Sequence, residues 1–167
     1  PMSEFDMVVA ENQKPDVNLE EAKKYLDMLP ASDVDDRARW VETGMALHFH
    51  FDGSVEAYQL WDAWSAKSAK YKGPEETEYL WGGFGKKRQR PVTMATIIAR
   101  ANKANEKALR EAKRAELEIE LSKVQACTDR YEVQNVLKKT SLTDSMDKEE
   151  FVKAAQAKVL ELTGLKP

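Results

Sequence analysis

The sequence predicts an all-α fold, on three observations. Only seven glycines and six prolines interrupt 167 residues, too few for the frequent turns of a sandwich. Apolar residues, 42% of the chain, recur at the three- and four-residue spacings of a helix face. Asn, Ser, Thr or Asp stands ahead of most of these runs, where a side-chain oxygen caps the free N–H groups of a helix start.

Residues 1–17 lack periodicity and contain Pro15, and read as a loose arm. Pro1 ahead of Met2 has the order of a protease-cleavage scar before a native start. Asn18 opens the first predicted helix, with Glu21 at the reciprocal capping position and Ala22, Tyr25, Leu26 and Leu29 as its stripe. Pro30 ends it. Ser32 or Asp33 caps a second helix that runs to about His48, with Trp40, Val41, Met45 and Leu47 inward. Ser54 caps a third, carrying Ala57, Tyr58, Trp61 and Trp64 on one side. Gly73-Pro74 breaks the chain, and a short helix with Tyr79, Leu80 and Trp81 follows up to Gly82-Gly83. A long helix starts at Thr93, with Met94, Ile97, Ile98 and Ala101 packing back. Its middle is Ala/Lys/Glu-rich and includes Glu106 with Arg110, an i,i+4 pair suited to a solvated connector. Leu117, Leu121 and Val124 restart the stripe. Two more helices are expected, at about 130–139 capped by Thr128 or Asp129, and at 147–163 with Asp147 and Glu150 as a capping box. Gly164 occupies a C′ position. The expected organisation is therefore an arm over 1–17, a helical lobe over 18–103, a helical connector over 104–116 and a three-helix lobe over 117–167.

Charge is unevenly spread. Residues 1–66 carry 14 acidic and 5 basic groups, residues 67–90 carry 3 and 7, and residues 91–167 carry 12 and 14. A local cationic segment on an acidic chain can hold phosphates while the remainder repels them. No apolar run approaches the roughly 18 residues that span a bilayer, so no membrane partner is expected. The single Cys127 has no partner for an internal disulfide and fits a reducing cytoplasm.

Several separated motifs carry a resemblance. They are Trp40 ahead of Gly44-Met45-Ala46-Leu47-His48, then Leu60-Trp61-Asp62-Ala63-Trp64-Ser65, then Ser68-Ala69-Lys70-Tyr71. Trp81 near Phe84 and Val92-Thr93-Met94-Ala95-Thr96 follow in the same order. Over about residues 20–103 the chain resembles the PriCT family (primase C-terminal, second type). This is a helical domain found beside the catalytic domain in primases and primase-helicases of phages, plasmids and large DNA viruses. The resemblance implies a non-catalytic replication accessory that binds single-stranded or template DNA and assists a primase or primase-helicase in the host cytoplasm. It departs from the family in showing no catalytic domain before Met2, and no G-x-x-x-x-G-K-[ST] loop occurs. The last lobe is similar to the helical tails of phage single-strand annealing proteins of the RecT type. The alternative expectation is an adaptor that recruits a helicase, polymerase or single-strand binding protein without touching DNA. A homo-oligomer is compatible with either.

The candidate DNA-binding residues are Lys67, Lys70, Tyr71, Lys72, Phe84, Lys86, Lys87, Arg88 and Arg90. The first three lysines follow a helix end, where the macrodipole already favours positive charge. The four later cations repel one another within five residues, which a phosphate backbone would relieve. If both groups fold together they form one patch. Tyr71 and Phe84 border glycine and basic residues and suit base stacking. Trp40, Trp61, Trp64 and Trp81 are read as core. His48, His50 and Asp52 have metal-ligand chemistry, but i and i+2 diverge on a helix, so no metal site is assigned. No cofactor and no catalytic residue is expected.

Overall fold

The computed structural model describes residues 3–12, 14–86 and 91–164. Among them there are nine helices and no strand: α1 (Glu4–Asn12), α2 (Leu19–Met28), α3 (Ala31–Asp35), α4 (Arg37–His50), α5 (Val55–Ser65), α6 (Pro74–Gly83), α7 (Met94–Gln125), α8 (Arg130–Lys139) and α9 (Ser145–Thr163). The chain divides into two compact units, residues 1–106 and 107–167, and the division falls within α7.

Three local readings need correction. The expected loose arm contains α1, whose start is closed by a reciprocal exchange. The Asp6 amide donates to Ser3 Oγ at 3.2 Å and the Ser3 amide to Asp6 Oδ2 at 3.1 Å. α1 buries none of its residues, so no apolar periodicity marks it. The single helix expected from Ser32 to His48 is two. α3 stops at Asp35, and Asp36 adopts extended backbone and caps α4 by accepting from the Arg39 amide at 2.9 Å. The last helix begins before Asp147, because Asp144 accepts from the Met146 and Asp147 amides at 3.0 and 3.2 Å. Those amide bonds, with Lys113 nearby, hold the Asp144 carboxyl below its ordinary range. Elsewhere the caps stand where the sequence puts them: Asn18 on α2, Ser54 on α5, Asp129 on α8, and Gly164 in left-handed backbone (φ 67°) after α9.

In the first unit α5 packs against α2, α4 and α6. Trp61 lies at the centre with no exposed surface. Its ring stacks on Trp40 at 5.1 Å and meets Phe84 at 5.4 Å and Trp81 at 5.9 Å. The indole N–H groups are satisfied internally, as buried polar atoms must be. Trp61 Nε1 donates to the Trp40 carbonyl at 3.2 Å, and Trp40 Nε1 donates to Ser65 Oγ at 2.7 Å. Ser65 in turn donates to the Trp61 carbonyl at 2.7 Å. Trp64 and Trp81 are buried in the same cluster, which extends to Met94, Ile97 and Ala101 of α7.

Gly44 explains its own place in the G-M-A-L-H motif. A Cβ there would stand 2.5 Å from Trp61 Cε2 and 2.9 Å from Phe84 Cε2. The glycine lets α4 lie directly on the indole.

In the second unit Leu117, Val124, Cys127, Val133, Leu142, Phe151 and Ala155 form a separate core, with α8 packed on α9.

Candidate functional site

The histidines are structural and point apart. His50 Nε2 lies 2.8 Å from the Val17 carbonyl. His48 packs edge-on against Trp81 at 4.9 Å and Phe84 at 6.0 Å. Gly53, at φ 70°, leaves room for it, since a Cβ there would meet His48 Nε2 at 2.9 Å. Burial lowers the His48 pKa, and Asp52 offsets only part of that. The neutral ring is thus the form that folding prefers. The stability it contributes is present above the unfolded value near 6.5 and is lost as pH falls through the lower folded value. Denaturation followed by tryptophan fluorescence should therefore show the first unit weakening as pH falls below about 6.5, the ordinary imidazole value. His48→Gln should flatten that slope. An unchanged slope would assign it to other groups.

Phe84 leaves the set of stacking candidates. It is 8% exposed and seated among Trp61, Trp81 and His48, because α6 ends by turning it into the core. Lys86 is exposed. Lys87, Arg88 and Arg90 lie outside the described residues.

The other candidates gather around the turn that follows α5. Lys67 pairs with Asp27 of α2 at 2.7 Å, and Lys72 is exposed. Lys70 Nζ donates to the Asp35 carbonyl at 2.9 Å, while its amide donates to Ser68 Oγ at 3.1 Å. Ser68 itself donates to the Asp35 carboxylate. The Tyr71 hydroxyl donates to Asp62 Oδ1 at 2.8 Å, and Thr77 Oγ1 lies 2.6 Å from the same oxygen. Burial first, then the Asp62 bond, pushes the Tyr71 phenol up to about 12, so it remains a neutral donor throughout the physiological range. The L-W-D-x-W-S and S-x-K-Y motifs are thus one hydrogen-bonded construction. Trp61 and Trp64 anchor it in the core, Ser65 holds Trp40, Asp62 fixes Tyr71, and Ser68 ties the turn to α3.

That construction forms one wall of a cavity of about 230 Å³. Val34, Trp40, Ser65, Tyr71, Gly73 and Thr77 line it, with Asp35, Arg37, Ser68, Lys70 and Glu76 completing the lining. Arg37 reaches Glu76 at 3.0 Å, and its guanidinium lies over the Trp40 ring at 5.4 Å. The pocket therefore joins an aromatic wall to two cations and two carboxylates.

Asp35, Arg37, Asp62 and Glu76 were not picked out from the sequence as site residues. Asp62 alone carried a signal, as the acid of the L-W-D-x-W-S motif.

The chain at Lys70 and at Lys86 meets opposite ends of α4. Lys70 meets Asp35, just before its first turn, whereas Gly85, preceding Lys86, sits against His48 in its last turn. The helical rise puts those anchor points roughly 17 Å apart.

Such a unit, with helices and no strand among its described residues, is built on an interior of indoles with a polar pocket at a helix–turn junction. Among the described residues no group of three His, Cys, Asp or Glu side chains is placed to hold a metal ion. None of the helices described is long and apolar enough to cross a membrane. Residues 22–101 match the family Primase C terminal 2 (PriCT-2). That match links the segment to primase-associated replication. The chain has no match among curated proteins and none among solved structures.

Proposed function

We propose that the protein is a non-catalytic replication accessory that binds single-stranded or template DNA and assists a primase or primase-helicase in a phage-type system, in the host cytoplasm. The observation that carries this reading is the turn after α5. The family motif there contributes Lys70 and Tyr71 to the lining of a pocket that Arg37 also lines, with Lys67 and Lys72 in the same turn. Phosphates meet Lys67, Lys70 and Lys72 and the loop cations Lys86, Lys87, Arg88 and Arg90.

A salt titration with a fluorescent oligonucleotide tests it. Each neutralised phosphate on a single strand contributes a slope of about −0.7 in log K against log salt. Converting Lys67, Lys70 and Lys72 to Ala should weaken binding and flatten the slope by roughly 2. Converting Lys86, Lys87 and Arg88 to Ala should do the same independently. Unchanged affinity and slope in both triple variants would overturn the reading. A primase or helicase retained from extract after nuclease treatment, with no oligonucleotide bound, would replace it with the adaptor role.

A further inference from the structure

The pocket beside Trp40 carries more than backbone contacts. At about 230 Å³ it is smaller than the roughly 300–1,000 Å³ typical of drug-sized sites, which suits one planar heterocycle. Its apolar wall is Val34 with the Trp40 indole, and the Tyr71 ring closes another side. The Arg37 guanidinium offers a further planar surface, of the kind on which unstacked bases lie. Tyr71 is held in place by Asp62, so that wall is fixed before any ligand arrives.

The rim discriminates. A phosphate would meet Lys70 and Arg37, but Asp35 and Glu76 would repel it from the interior. Those same carboxylates accept hydrogen bonds from amino groups on base edges, whereas thymine presents a carbonyl oxygen at the corresponding edge. Asp35 Oδ1 is engaged by Ser68, and Glu76 Oε1 by Arg37 in an ion pair, which orients both carboxylates.

We propose that this pocket takes one unstacked nucleobase bearing an exocyclic amino group, with Asp35 and Glu76 accepting from that group and Tyr71 and Arg37 covering its faces. The inference rests on the DNA-binding reading and adds a base preference to it.

The test uses the full chain and oligo-dT strands of equal length, either uniform or carrying one central dC. Charge is identical in the two, so phosphate contacts cancel. The strand with dC should bind about tenfold tighter, the discrimination a well-placed acceptor gives. In the double variant Asp35→Ala, Glu76→Ala, which removes both acceptors, that ratio should collapse towards one, while uniform oligo-dT is still bound. Circular dichroism checks that the variant remains helical. Equal binding of the two strands by the wild type overturns the pocket assignment while leaving strand binding intact. A preference that survives the double variant overturns it as well. If neither strand binds, the DNA reading itself fails and this inference falls with it.

Discussion

Gly44→Ala should unfold the first unit at far milder conditions than the wild type. The added methyl would stand 2.5 and 2.7 Å from two atoms of the Trp61 ring and 2.9 Å from Phe84. None of these neighbours is a flexible chain end. Trp61 is fully buried, its N–H is bound to the Trp40 carbonyl, and the Trp40 ring covers one face. Relief therefore requires α4 to move off α5. Overpacking of this kind costs about 3 kcal/mol at the upper end of its usual range. For a unit of about this size that lowers the melting temperature by roughly 10–20 °C. All four tryptophans lie in this unit, so fluorescence excited selectively at tryptophan reads it alone. A variant that melts with the wild type would show that the α4–α5 contact yields more easily than its packing implies.

Phe151→Ala should have the opposite signature. Phe151 is 1% exposed and sits with Leu117, Val124 and Val133 in the core of the second unit. Truncating a buried Phe costs about 3–5 kcal/mol. A unit of about 60 residues has only roughly 3–9 kcal/mol in total. The second unit should lose most of its structure, seen as a partial loss of far-ultraviolet dichroism at ambient temperature. The fluorescence melting curve should stay where it is. A parallel shift of the fluorescence curve would mean that the two units unfold as one.

Much of this architecture is legible in the sequence because helix starts are chemically marked. Asn18, Ser54 and Asp129 each combine a short acceptor side chain with a following apolar stripe, and each caps a helix. The features that escaped either lack an apolar stripe or turn on contacts that only the fold supplies. α1 buries nothing, so its only mark is the exchange between Ser3 and Asp6. The break at Asp36 is hidden because Ser32, Asp33, Asp35 and Asp36 are all plausible caps, and only the fold assigns the task to the last. Asp33 instead goes inside, 1% exposed, and accepts from Arg39 at 2.7 Å.

The pocket was legible in part. Lys70 and Tyr71 belong to a motif and drew attention by adjacency. Asp35, Arg37 and Glu76 come from other elements, and no local pattern links a residue before α4 with one in α6. Phe84 was misread for the same reason. Its glycine and lysine neighbours suggested a surface, but side-chain direction was set by the α6 terminus and by the space that Gly44 leaves.

Cys127 gives the second unit a chemical clock. It is the chain's only thiol, 6% exposed, donating to the Lys123 carbonyl at 3.2 Å, with burial raising its pKa. A protonated, covered sulfur reacts with alkylating reagents only when the surrounding helices part. The rate at which the intact protein takes up such a label therefore counts the openings of that core, without any engineered probe.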